Sequence, residues 1–451
     1  MATPRRDPEA GQSAAVDDDR RDGESDVVVR RAPFSDNPHV GARGQRTQQR
    51  IVDAALRVFG EVGYHQCGVA RITELAGCSR ASFYQYFSGK EDVFRHLTGQ
   101  VARQLSASTE ALGLVTPDAE GWRSIRAWVA RYSGVYDRYE PVFQVFQAAA
   151  ESDAAVAGGS ARTAERHVAA FRSRLTATTL PPRQLDPVIT LLLESLPRTF
   201  DSAGILRAAT PAAAPPERIA DAVADTVHRT LFGLQAVNVH APARRRPPVF
   251  EFSPALREAL GRDGPARRLT PGGSRTLQAL MDAGRDLFVA RGYHDTRIHD
   301  VVAAAGLSKG AFYRYFESKD RLVQVLALQA IRTVSTTLAD FPDAATDGAA
   351  RTAAIRRWLR RYNATHAGEA AMIRVWVDAA LEDTTFRTDS AAAFDWGRRR
   401  MANFLRPRGF GDVESEAVVA VALLSTFGAR ERSAAAIDAA AHIIERGFLG
   451  H

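Results

Sequence analysis

Gly77-Cys78-Ser79-Arg80-Ala81-Ser82-Phe83-Tyr84-Gln85-Tyr86-Phe87-Ser88-Gly89-Lys90 decides how this chain is read. Gly77 suits the left-handed position just past a helix end, where a side chain would be strained. Ser79 suits the N-cap of the next helix, its hydroxyl accepting from backbone N–H groups that lack an intrahelical partner. Phe83 and Phe87 fall four apart, on one face of that helix. Upstream, Ile51, Ala54, Ala55, Val58 and Phe59 recur at helical spacing, and Gly63-Tyr64 ends this first helix. Val69, Ile72 and Leu75 mark a short second helix, and Phe83 and Phe87 are expected to pack on Phe59. Lys90-Glu91-Asp92 opens a fourth helix, its acidic pair near the positive end of the helix dipole.

Short helices joined by a Gly-containing turn form a helix-turn-helix, whose second helix lies in the major groove with its N-terminal residues toward base edges. The face so presented is Arg80, Ala81, Ser82 and Gln85. The small side chains at 81 and 82 let the backbone come close to DNA. Tyr84 offers a hydroxyl to phosphate, and Lys90 is expected to meet the sugar-phosphate backbone.

The chain then repeats itself. Gly306-Leu307-Ser308-Lys309-Gly310-Ala311-Phe312-Tyr313-Arg314-Tyr315-Phe316-Glu317-Ser318-Lys319 is the same pattern with substitutions, and Arg46–Leu97 aligns with Arg275–Leu326 without a gap (275 − 46 = 229). Phe59/Phe288, Gly63/Gly292, Tyr64/Tyr293, Gly77/Gly306, Ser79/Ser308, Tyr84/Tyr313, Phe87/Phe316 and Lys90/Lys319 are identical, mostly at expected core, turn or phosphate-contact positions. Ile125, Trp128, Arg131 and Tyr132 return as Ile355, Trp358, Arg361 and Tyr362, so the duplication covers a whole helical unit.

Both copies resemble the TetR family of bacterial repressors: an apolar helix ending in Phe, then Gly-Tyr, then Ala-Gly-x-Ser, then Phe-Tyr-x-Tyr-Phe, then Lys followed by an acidic residue. The resemblance implies DNA-facing positions at Arg80, Ala81, Ser82, Tyr84, Gln85 and Lys90, and at Lys309, Gly310, Ala311, Tyr313, Arg314 and Lys319 in the second copy. It also implies a helical effector and dimerisation domain behind each head, and release of the operator by a small molecule. Where the family often places Thr or Ser against phosphate, the second copy has Thr296 followed by Arg297, whereas the first has Cys67 and Gly68. The first head is therefore expected to bind more weakly unless Arg71 compensates.

The expected architecture is all-α and divides as a disordered tail over 1–45, heads over 46–97 and 275–326, helical domains over 98–240 and 327–451, and a basic Pro/Gly-containing linker over 241–274. In the tail, Arg30-Arg31 and Arg43 offer either a phosphate-touching arm or plain solvated charge, and the linker is expected to hold a short helix over Ser253–Leu260. Helices 187–200 and 216–234 are expected to pack on 414–428 and 434–449, joining the halves as an intramolecular pseudo-dimer. The rival arrangement is a homodimer with four heads. Trp128, Tyr132, Trp358 and Tyr362 are candidates to line a ligand cavity, ordinary core being the alternative.

A chain of 451 residues suggests two to four domains, and a net charge of +7 permits an anionic partner without requiring one. The only cysteines, Cys67 and Cys78, have no zinc-ligand spacing, so no metal and no cofactor are expected, and a reduced cytoplasmic protein fits best. No apolar stretch of membrane-spanning length is evident. No GxSxG, HExxH, P-loop or dinucleotide-binding glycine motif is present, which argues against an enzyme. The expected partners are a double-stranded DNA operator and a small-molecule effector; a DNA-binding protein without effector is the alternative.

Overall fold

The computed structural model describes residues 42–152, 154–209, 213–235, 237, 270–342, 348–380 and 384–450. The first half contains α1 (Ala42–Val62), α2 (Val69–Ala76), α3 (Arg80–Tyr86), α4 (Lys90–Glu110), α5 (Ala119–Ser152), α6 (Ala154–Ser173), α7 (Pro182–Ala209) and α8 (Pro216–Phe232). The second contains α9 (Pro271–Asp295), α10 (Ile298–Ala304), α11 (Lys309–Tyr313), α12 (Lys319–Ala339), α13 (Gly348–Ala380), α14 (Thr384–Leu405), α15 (Val413–Gly428) and α16 (Ala434–His442). α16 runs on as a π-helical turn, Ile443–Phe448. Among the described residues there is no strand beyond one isolated bridge between Val115 and Leu175.

Several boundaries differ from the sequence expectation for local reasons. α1 begins at Ala42, inside the stretch assigned to the tail. α9 begins at Pro271, inside the stretch assigned to the linker. Pro271 has no N–H to leave unpaired at the first helical position, and the Thr270 hydroxyl accepts from Gly273 N–H at 3.2 Å. Arg30-Arg31 and the helix expected over Ser253–Leu260 lie outside the described residues. α5 is kinked at Tyr139 (φ −116°, ψ 22°), two residues before Pro141, whose ring nitrogen cannot donate to the preceding turn. α12 is, against expectation, long and apolar enough to cross a membrane by length and composition. Its apolar face packs instead on α13 and α9.

Each head has its own core. Phe59, Phe83, Phe87, Ile72, Val93 and Leu97 are buried together in the first, and Phe288, Phe312, Phe316, Val301 and Leu322 in the second. The Phe59 ring meets Tyr64 at 5.2 Å and Phe94 at 6.4 Å, while Phe83 meets Phe87 at 6.0 Å, so the aromatics expected to pack together share one cluster.

The bodies share a third core that runs through both halves. α7 and α8 pack against α15, α7 also against α16, and α8 against the terminal π-helical turn. This is the four-helix interface expected from the sequence. Gly447 permits the close crossing, since a Cβ there would stand 2.4 Å from Thr230 Oγ1. Charge is buried at the same crossing. Arg229 of α8, fully buried, donates from Nη2 to Glu416 Oε2 at 2.6 Å and from Nε to the Gly447 carbonyl at 2.7 Å. Arg408 pairs with the same Glu416 oxygen at 2.6 Å. Asp225 stands 3.9 Å from Arg229 and accepts from Trp122 Nε1 at 2.8 Å. At the other end of the interface Glu194 of α7 receives Arg432 at 2.9 Å and Arg430.

His366 of α13 packs on Gly428 of α15 so closely that a Cβ on Gly428 would stand 2.4 Å from its ring. Burial lowers its pKa from the usual 6.5 to about 4. The unfolded chain then binds a proton near pH 6.5 that the folded chain refuses until pH 4. Stability is therefore whole above pH 6.5 and lost as pH falls toward 4, by up to about 3 kcal/mol from this one ring. Urea midpoints measured across pH 4–7 are expected to fall on acidification, and to fall less in His366→Gln.

Candidate nucleic-acid interface

In both heads the turn before the recognition helix takes the form read from the sequence. Gly77 adopts φ 60°, ψ 44° and Gly306 adopts φ 66°. Cys78 and Leu307 N–H groups close the turns onto Thr73 and Val302 carbonyls at 3.1 and 2.8 Å. Ser79 Oγ accepts from Ser82 N–H at 3.1 Å, and Ser308 Oγ from Ala311 N–H at 3.2 Å. Beneath, Phe83 and Phe312 anchor the helices in the head cores. What remains outward is the face expected to read DNA. Arg80, Ala81, Tyr84 and Gln85 are exposed and Ser82 half-buried; Lys309, Gly310, Tyr313 and Arg314 are exposed and Ala311 half-buried. Tyr84 and Tyr313 stand edge-on to Phe83 and Phe312 at 5.4 and 5.5 Å, so each phenol is directed by a fixed ring.

Two expectations are corrected. Thr296 is 1% exposed, and its hydroxyl donates to the Gly292 carbonyl at 2.8 Å and to Leu287 at 3.3 Å. It closes the end of α9 and offers nothing to a phosphate. Lys90 and Lys319, both half-buried, are engaged by the chain's own backbone: Lys90 Nζ donates to the Tyr64 and His65 carbonyls at 3.0 and 3.2 Å, and Lys319 Nζ to the Tyr293 carbonyl at 2.8 Å. Each ammonium also lies over a tyrosine ring, 4.7 Å from Tyr64 and 3.9 Å from Tyr293. In this structure these lysines fasten the turn after α1, and the matching kinked end of α9 past Gly292, to the first turns of α4 and α12.

The two heads remain unequal at the start of their second helix. Arg297 is exposed, and its backbone N–H is accepted by Asp300 at 3.1 Å, which caps α10. α2 starts at Gly68 with no side-chain cap, and Cys67 is buried, which pushes its thiol pKa up. Arg71, the candidate compensating residue, is engaged with Glu61 at 3.3 Å, both about half exposed. A pair so open to water contributes at most about 1 kcal/mol, so it does not hold Arg71 away from a phosphate.

The candidate cavity residues are core. Trp128 donates its Nε1 to Thr109 at 3.4 Å, and Tyr132 stacks on Phe200 at 5.9 Å. Trp358 donates to the Thr337 carbonyl at 2.8 Å and stacks on Tyr362 at 4.8 Å. Burial pushes both tyrosine hydroxyls above the ordinary phenol range. Beside Trp358, whose ring meets Phe341 at 4.5 Å, lies an apolar cleft with room of about 10 Å³, bordered by Phe341, Met401, Phe404 and Phe448, about enough for a single water. Among the described residues no group of three or more His, Cys, Asp or Glu is placed to hold a metal.

The family model for bacterial regulatory proteins of the tetR type matches residues 51–97 and again 280–326. The HTH-type transcriptional repressor AcnR of Corynebacterium glutamicum is 29% identical over 112 residues, 23% of this chain and 57% of that protein. The HTH-type transcriptional repressor DhaR of Mycobacterium sp. strain GP1 is 39% identical over 67 residues, 14% of this chain and 34% of its own length. The fatty acid metabolism regulator protein of Bacillus subtilis is 38% identical over 60 residues, 12% and 31% of the two chains. The matches thus span about a third to a little over half the length of these relatives.

Proposed function

From the premise that this chain belongs to the tetR family and carries two of that family's units in tandem, we propose that it is a DNA-binding transcriptional regulator. It acts as a repressor that holds an asymmetric operator with one chain. The observation that carries this reading is the pair of exposed recognition faces, built on identical turns but carrying different side chains. Arg80-Ala81-Ser82 with Gln85 faces one groove, and Lys309-Gly310-Ala311 with Arg314 the other. A guanidinium suits guanine and an amide suits adenine, because each can make paired hydrogen bonds to that base edge. Two heads on one folded body meet half-sites about one helical turn apart, 34–36 Å, without a dimerisation step.

Replacing Arg314 by alanine is expected to cost about 1–3 kcal/mol of operator affinity and to relax base preference in one half-site only, with Gln85→Ala relaxing the other. Binding to duplexes carrying single base changes checks this. Equal relaxation of both half-sites by either variant would contradict the assignment.

The proposal includes release by a small molecule. The cleft beside Phe341 and Phe404 holds no more than about one water as it stands, so an effector entering there must part the rings, and the apolar lining suits an apolar one. Retention of operator DNA, measured with and without a panel of apolar ligands, tests this part. No change with any ligand favours a regulator without effector.

A further inference from the structure

The two heads touch each other. His65 follows Gly63-Tyr64 in the first head and His294 follows Gly292-Tyr293 in the second, and the two are equivalent under the repeat offset (294 − 65 = 229). Their imidazole rings stack with centroids 4.4 Å apart and planes 20° apart. A residue that meets its own equivalent lies on the pseudo-twofold axis relating the halves. Both rings are held from behind. Tyr64 stands edge-on to His65 at 5.5 Å and Tyr293 edge-on to His294 at 5.0 Å. Lys90 and Lys319 tie the same segments to the helices that lead from head to body.

We propose that the His65–His294 stack is a positioning contact that sets the distance between the two recognition helices, so that the chain discriminates operators by the number of base pairs between half-sites. This rests on the DNA-binding reading above. A head held only by its own body can swing about it. A contact on the axis removes that swing for both heads, because neither moves outward without parting the rings. One inserted base pair shifts a half-site by about 3.4 Å and turns it by about 34°. That displacement takes ring centroids now 4.4 Å apart toward or past the ~7 Å limit of aromatic contact. A histidine pair can also bridge a metal ion, but ring nitrogen lone pairs point along the ring plane, and stacked rings do not aim them at a common point.

The test uses the full chain with fluorophores at Glu74 and Ala303, equivalent exposed positions on α2 and α10. In the free chain a narrow distribution of inter-head distances is expected. His65→Ala/His294→Ala is expected to broaden it, and His65→Phe/His294→Phe, which keeps two stackable rings, to leave it narrow. On operators with zero to three added base pairs between half-sites, the double alanine variant is expected to lose preference for the best spacing by on the order of tenfold, and the double phenylalanine variant to keep it. An unchanged distance distribution in the double alanine variant, or a broadened one with an unchanged spacing profile, overturns the proposal. If the distances respond but the unsubstituted chain selects no DNA site, the contact stands as a joint between the heads and the DNA-binding reading is what has failed.

Discussion

Glu416→Ala is expected to destabilise the fold by about 3–5 kcal/mol, the usual cost of removing one partner from a buried ion pair. Glu416 is fully buried and its Oε2 lies 2.6 Å from both Arg229 and Arg408. Without it two guanidiniums remain inside the crossing of α8, α15 and the terminal π-helical turn, with Asp225 the nearest carboxylate to Arg229 at 3.9 Å. Arg229 belongs to the first half and Glu416 to the second, so the loss falls on the contact that makes one body of two repeats. Urea denaturation is expected to show a lowered midpoint, and at intermediate urea the halves to separate while the heads keep their helices. Glu416→Gln, which retains an acceptor but not the charge, is expected to fall between. An unchanged midpoint in Glu416→Ala would mean that water reaches the site and that the interface does not depend on it.

Phe312→Ala is expected to cost the second head about 3–5 kcal/mol, since it empties a fully buried aromatic position. α11 has five residues, too few to persist without its anchor. The head core around Phe288, Phe316 and Leu322 is separate from the body core, so the damage is expected to stay local. Hydrogen exchange should show lost protection over 280–326 and little change over α7, α8 and α15. Operator binding is expected to retain base preference in one half-site and lose it in the other. Phe83→Ala is expected to do the converse. Loss of both half-sites from either change alone would show that the heads do not read independently.

What the sequence revealed and what it concealed follow the range of the interactions. The turns at Gly77 and Gly306 and the caps at Ser79 and Ser308 are set within five residues, so their form was legible. So was the phenylalanine face of each recognition helix, fixed by helical period. Thr296 read as a phosphate contact because its burial depends on the Leu287 and Gly292 carbonyls, which the chain brings back only on folding. Lys90 and Lys319 sit at a helix start where a cation normally faces solvent, and a four-carbon stem lets each reach a carbonyl 26 residues upstream. Glu416 gave no signal, because an acidic residue in the first turn of a helix is an ordinary response to the dipole. His65 and His294 are identical across the repeat, yet identity alone does not put a residue on the axis.

The central claim, one chain whose two unlike heads read one site, is tested most directly by selecting bound sequences from a random duplex library with the full chain. The account predicts enrichment of a single motif with two dissimilar half-sites about one helical turn apart. A palindrome would contradict it, because one kind of head would then be reading both halves. So would no enrichment at low salt, where even weak phosphate contacts hold DNA.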